Sequence, residues 1–260
     1  MPRHRARHRC ARRHHGLQPR KIREMNSLKG RVVAMHIRKE VNPFIVASML
    51  TGILLTLALW GLRCCTPVVA AASGGAVSAL LSGYFLYFFR DPERTPPSNP
   101  CAVVSGADGV VASIERLQES EFLHADCVRI SIFLSLFDVH VNRAPISGQS
   151  TFKGYFPGKR YFTFQEKSSQ FNQHNTILIE GDRIRCLVYQ IVGPVCRRVV
   201  YWLPHDCPTP VAVGERIGMM KFGSRMDIYL PASDVIAVVH PGDRVRAGET
   251  VIAKRKGISC

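Results

Sequence analysis

The sequence predicts a mainly β (α+β) protein. Its N-terminal part reads as a transmembrane or membrane-inserted helical hairpin, and the remainder as a many-stranded β domain with a carrier-domain-like β-sandwich part. Three observations predict this. Two long charge-free stretches lie between residues 44 and 89. From residue 90 onward, short runs rich in Val and Ile alternate with Gly, Pro, Asn and Asp. The positive charge gathers ahead of both regions, and a 46% hydrophobic share of 260 residues excludes disorder along the whole chain.

The first element is a basic arm, residues 1–39. Met1 to Lys39 hold 13 of the 35 Lys and Arg and one of the 19 acidic residues; 22 basic and 18 acidic residues remain, so the formal +16 falls to +4 downstream. The first 24 residues interleave Arg with His4, His8, His14 and His15 and have too little apolar surface to fold, so they are expected to be disordered. Such an arm could bind RNA or anionic lipid. Met25 and Met35 offer the alternative that the physiological start lies downstream. Without the arm the chain has little excess charge and no stacking-aromatic motif, which argues against a nucleic-acid binder.

The second element spans residues 40–89. Phe44 to Leu62 is 19 residues without a charge and Val68 to Phe89 is 22, each long enough to cross a bilayer core of roughly 30 Å at about 1.5 Å per residue. Small residues from Ala70 to Gly83 would let two helices approach closely in lipid. Arg31, Arg38 and Lys39 precede the pair and Arg90 and Arg94 follow it. This places both outer ends, and the domain beyond, on the cytoplasmic side of a cell (inner) membrane. Two alternatives stay open on these residues, a buried core hairpin and a pair of interfacial helices.

The third element, residues 90–260, contains strand-like runs at 101–105, 109–114, 128–133, 150–155, 176–180, 184–191, 226–230, 235–239 and 250–254. Pro241 to Thr250 reads as two tight turns around a short strand, as in small β-sandwich carrier domains. Nine cysteines include no C-x-x-C pair and form neither a zinc site nor a disulfide framework, so they are read as mostly reduced.

Three segments could carry chemistry, and each alone has a plain structural reading. Arg90-Asp91-Pro92-Glu93-Arg94 could simply close a helix. His140, in Asp138-Val139-His140-Val141-Asn142-Arg143, could be a satisfied structural histidine. Gly223-Ser224, after the Gly-containing loop 214–218, could be a turn. Phosphate loops, zincin motifs and hydrolase elbows are absent from the sequence.

Taken together, Phe88 to Arg94, Val104-Ser105-Gly106-Ala107-Asp108-Gly109, Asp138 to Pro145 and Gly218 to Arg225 resemble the phosphatidylserine decarboxylases, most closely their short bacterial and archaeal branch. The resemblance runs in order and spacing from Arg38 to the C-terminus. Longer members read Leu-Gly-Ser-Thr where this chain has Phe222-Gly223-Ser224-Arg225, and Asn172-Gln173-His174-Asn175 replaces their Asn-Glu-Arg-Asn.

The resemblance implies a zymogen that cuts itself between Gly223 and Ser224 into chains 1–223 and 224–260, leaving a covalent pyruvoyl group at position 224. It implies no pyridoxal phosphate and no metal. Phosphatidylserine in the bilayer is the implied partner, decarboxylated to phosphatidylethanolamine through a Schiff base, and a homodimer is left open. A serine hydroxyl needs a general base, and His140 oriented by a carboxylate is the economical choice. Asp91 is that carboxylate by resemblance; Asp138 competes, because residues two apart on a strand share a side. Arg143, Lys221 and Arg225 are candidate donors to the lipid phosphate. A different class of function, a membrane-tethered biotinyl- or lipoyl-like carrier, lacks the lysine that such a hairpin tip needs.

Overall fold

The structure is a computed structural model that describes residues 35–159, 161–163, 171–193, 199–221 and 223–257. The basic arm through residue 34, with the start at Met25, lies outside the described residues.

Two helices come first. Helix α1 (Asn42–Gly61) and helix α2 (Pro67–Phe88) each carry Pro in the first turn, where its missing N–H costs no hydrogen bond, and Thr66 caps α2 through its side chain. They span about 30 and 33 Å at 1.5 Å per residue. The two pack on each other where Gly52, Thr56, Gly74 and Ser78 meet, and a Cβ at Gly52 or Gly74 would run into the opposite backbone. Their outer surfaces are apolar and exposed, including Leu54, Leu57, Val68 and Leu80. Both helices are long and apolar enough to cross a membrane.

The arm boundary expected at Lys39 lies beyond an ordered strand. β1 (Met35–Ile37) pairs antiparallel with β2 (Arg90–Pro92), so the chain entering α1 and the chain leaving α2 are tied together. Around this tie Val41, Phe88, Phe89 and Met219 are buried, with Phe44, Phe85 and Trp202 against them. That apolar collar fixes the hairpin to the β domain.

The β domain is built on one antiparallel eight-stranded sheet. Its strands are β4 (Gly109–Glu119), β5 (Ala125–Leu134), β7 (Gly148–Phe156), β8 (His174–Glu180), β9 (Arg185–Val192), β11 (Thr209–Val211), β13 (Ser224–Pro231) and β15 (Arg244–Val245). They lie in the order β11-β7-β8-β9-β13-β5-β4-β15. Two three-stranded sheets flank it. One joins β10 (Val199–Tyr201), β12 (Arg216–Met220) and β6 (Val141–Arg143); the other joins β14 (Val235–Ala237), β16 (Val251–Arg255) and β3 (Ala102–Val104). The mainly β expectation is met. β12 occupies the stretch that the sequence suggested was a loop.

The main core lies on one face of the large sheet, with Ile130, Ile132, Ile177, Ile179, Val188, Met226, Ile228 and Leu230 among its members. On β13 the residues alternate. Met226, Ile228 and Leu230 enter this core, while Tyr229 packs in a second cluster with Leu123, Cys127, Leu178 and Leu187. Among the described residues Cys64, Cys65, Cys127 and Cys186 are free, whereas Cys101 and Cys207 are each disulfide-bonded, an exception to the mostly reduced reading.

Candidate active site

The four sequence motifs meet physically. Arg94 donates to Asp108 at 2.8 Å and to Glu249 at 2.7 Å, joining the first motif to the second. Arg143 donates to the Pro92 carbonyl at 2.9 Å, joining the third to the first. The Met220 N–H donates to the His140 carbonyl at 3.1 Å, joining the fourth to the third.

Ser224 is the first residue of β13 and pairs with Leu134 on one side and Val192 on the other. It falls on the face of Met226, toward the main core, and is 0% exposed. Its Oγ makes no hydrogen bond among the described residues. Gly223 immediately before it has φ +65, a left-handed conformation that glycine adopts without strain, and a Cβ there would meet nothing within 4 Å. Glycine is therefore required here by backbone conformation rather than by lack of room for a Cβ.

β5 ends opposite Ser224, and the turn after Leu134 carries the chain to His140. The ring is fully buried, with its centroid 4.1 Å from that of Phe88, the last residue of α2. His140 Nδ1 lies 2.9 Å from the Asp138 carbonyl oxygen. A carbonyl only accepts, so Nδ1 carries the hydrogen and Nε2 keeps its lone pair. Nε2 is buried and has no hydrogen-bond partner among the described residues. Burial in this apolar setting pushes the imidazole down to about 4, outweighing the favourable Asp138 carbonyl.

Neither expected carboxylate is hydrogen-bonded to this ring among the described residues. Asp138 lies in a turn, where strand alternation does not apply, and its carboxylate accepts from the Ser135 N–H at 2.9 Å and the Ser135 hydroxyl at 2.6 Å. Its backbone carbonyl makes the hydrogen bond to His140, and its carboxylate acts on the ring through charge alone. Asp91, 1% exposed, sits among arginines: Arg216 Nε lies 2.9 and 2.8 Å from its two oxygens, Arg143 at 3.3 Å and Arg38 at 3.5 Å. With His36, Arg38 and Arg216 it lines a cavity of about 410 Å³ beside β1, and His140 is not among the lining groups.

The three phosphate candidates also separate. Arg225 lies one residue past Ser224 and so on the opposite face of β13, where it donates to Asp227 at 2.9 Å and Ser131 at 2.6 Å. Arg143 is committed to Asp91, Pro92 and the Gly214 carbonyl. Lys221 stands at the base of the hairpin, its ammonium 5.7 Å from the Phe44 ring centre and 5.6 Å from that of Phe89. Among the described residues no group of three or more His, Cys, Asp or Glu is placed to share a metal ion.

Sequence reasoning missed the groups that close around the Gly223 carbonyl. Thr163 Oγ1 lies 3.5 Å from that oxygen, and Gly193 backs onto it. Asn172, within the Asn-Gln-His-Asn segment, holds the Thr163 loop by accepting from the Tyr161 N–H at 2.8 Å and donating to the Tyr161 carbonyl at 2.7 Å. The same amide donates to the Val192 carbonyl at 2.9 Å, beside Ser224. The Asn172-Gln173-His174-Asn175 segment marked this loop in the sequence, without pointing to Thr163 or Gly193.

Comparison with known proteins identifies the family. The family model described as phosphatidylserine decarboxylase matches residues 81–253. The chain is similar to the phosphatidylserine decarboxylase proenzyme of Desulfotalea psychrophila, 40% identical over 67% of this chain and 81% of that one. It is similar to that of Carboxydothermus hydrogenoformans, 43% identical over 70% and 85%, and to that of Amoebophilus asiaticus, 39% identical over 85% and 96%. The chain belongs to the phosphatidylserine decarboxylase family and is a decarboxylase.

Proposed function

We propose that this chain is a membrane-bound zymogen that cuts its own 223–224 peptide bond, converts Ser224 to a pyruvoyl group, and decarboxylates phosphatidylserine to phosphatidylethanolamine. One observation carries the reading. Ser224 Oγ and His140 Nε2 are buried polar atoms without hydrogen-bond partners among the described residues. Such groups are costly in a fold, and a reactive role accounts for keeping them.

The residues fit the self-made group. Ser224 Oγ attacks the Gly223 carbonyl carbon, which lies on the adjoining residue, and His140 Nε2 takes its proton. The C–N bond breaks as the amide nitrogen leaves with that proton, giving an ester. Removal of the Ser224 Cα hydrogen then expels the Gly223 carboxylate, and water releases ammonia from the dehydroalanine that remains. Chains 1–223 and 224–260 result. The pyruvoyl carbonyl supplies the electron sink that no natural side chain provides for carbon dioxide loss next to an amine. In this reading His140 also returns a proton to the α-carbon.

Lys221 takes the phosphate role in this reading, because its ammonium stands at the hairpin base beside Phe44 and Phe89. Pulling a two-chain lipid into water is prohibitive at about 0.8 kcal/mol per CH₂, so a site tied to the end of α2 suits a substrate that stays in the bilayer. Arg38, Lys39, Arg90 and Arg94 flank the helix pair and favour the cytoplasmic face of the cell membrane. The disulfides at Cys101 and Cys207 pull the other way, toward an oxidising compartment. A homodimer is compatible with the scheme and plays no part in it.

Denaturing electrophoresis and intact mass of the purified protein test the proposal. Two chains are expected, the smaller resistant to Edman degradation and carrying a ketone; Ser224→Ala should stay intact and release no carbon dioxide. A continuous, folded wild-type chain with decarboxylase activity would refute it.

A further inference from the structure

The geometry points to Thr163 as the hydroxyl that stabilises the oxyanion formed on the Gly223 carbonyl oxygen during self-cleavage. The inference rests on the self-cleavage reading above and deepens it by naming a further catalytic residue. Thr163 is 4% exposed, and its Oγ1 donates to the Gly223 carbonyl at 3.5 Å. When Ser224 Oγ bonds to the carbonyl carbon, the π pair moves onto this oxygen as a full negative charge. When the pair returns, the C–N bond breaks. Thr163 keeps its proton throughout and only donates a hydrogen bond, so the step balances without another reactant.

A long ground-state contact suits this task. A donor aimed at the oxyanion rather than at the resting carbonyl contributes to the rate, because its hydrogen bond tightens as charge develops. Two features hold the hydroxyl there. A Cβ at Gly193 would come within 2.9 Å of the Gly223 oxygen and 3.1 Å of Thr163 Cγ2, so glycine lets the carbonyl and the threonine close together. Asn172 then clamps the Thr163 loop to the end of β9, which pairs with Ser224. The sheet that presents the nucleophile thus also positions the donor.

Precursor synthesised in a cell-free system with lipid vesicles, sampled over time on denaturing gels, gives the scission rate directly and needs no decarboxylase assay. Thr163→Val keeps the shape and removes the hydroxyl; it should slow scission about 100-fold. Thr163→Ser restores the hydroxyl and should cut at close to the wild-type rate. Thr163→Ala runs beside Thr163→Val and replaces it if the branched side chain prevents folding, as judged by a cooperative thermal transition. A hydroxyl-free variant that folds and cuts at the wild-type rate overturns the inference, as does Thr163→Ser cutting as slowly as Thr163→Val. If the wild-type precursor itself stays whole, the self-cleavage reading has failed instead.

Discussion

The environment of His140 makes a quantitative prediction about pH. The ring is fully buried against Phe88, and desolvation lowers its pKa from 6.5 to about 4. A general base works in its neutral form. At pH 5.5 a histidine of pKa 4 is about 97% neutral and one of pKa 6.5 only about 9%, a roughly tenfold difference in active base. Scission of wild-type precursor, timed on gels between pH 8 and 4, should therefore stay level down to about pH 5 and fall with a midpoint near 4. A midpoint near 6.5 would show that the imidazole is solvated or paired with a carboxylate, and would refute the argument from burial.

The same shift has a stability consequence of fixed sign. The folded state disfavours protonated His140, so the unfolded chain binds more protons between the two pKa values. Stability is full above pH 6.5 and drains away as pH falls toward 4, by about 3 kcal/mol in all. Denaturant titrations of Ser224→Ala, which avoids the complication of scission, should show this slope, and His140→Gln should remove it.

Three further outcomes are expected. Asp91→Ala leaves Arg143 and Arg216 without their buried counter-charge and should cost about 3–5 kcal/mol in a denaturant titration; a loss of scission with undiminished stability would restore Asp91 as the partner of His140. Gly223→Ala meets no neighbouring atom but forces a side chain onto φ +65, so it should cost about 1–2 kcal/mol and slow scission without unfolding the chain. Cys64, exposed in the turn between α1 and α2, should react with a membrane-impermeant maleimide added outside intact cells, and protection there would reverse the proposed orientation.

Elements written in local sequence were legible, and those made by tertiary contacts were not. The helices span Asn42–Gly61 and Pro67–Phe88, within two residues of the charge-free stretches, because length and lack of charge are local properties. The long central strands were equally readable from their Val and Ile runs. β1 was hidden because Met35-His36-Ile37 is three residues at the end of a basic arm and exists only through its pairing with β2. β12 was hidden by Gly214 and Gly218, which read as a loop. At the site, Gly223, Ser224 and His140 came from motifs. The arginine surroundings of Asp91 were not readable, because Arg38, Arg143 and Arg216 come from three separate parts of the chain and no spacing rule brings them to one carboxylate.

The contact between His140, the proposed base, and Phe88, the end of α2, joins residues 52 positions apart in the sequence. Phe88 ends α2, and the same helix end holds the turn before His140: Tyr87 and Arg90 both donate to the Phe137 carbonyl, at 3.1 and 2.7 Å. Lys221 closes the arrangement from the other side, over Phe44 and Phe89. A shift or tilt of α2 would therefore move the wall that desolvates the imidazole as well as the turn that orients it. Phe88→Ala, by admitting water to the ring face, should raise the scission midpoint from about 4 toward 6.5 while leaving the Ser224 peptide untouched. An unchanged midpoint in a folded Phe88→Ala precursor would mean that the helix anchors the domain without tuning its base.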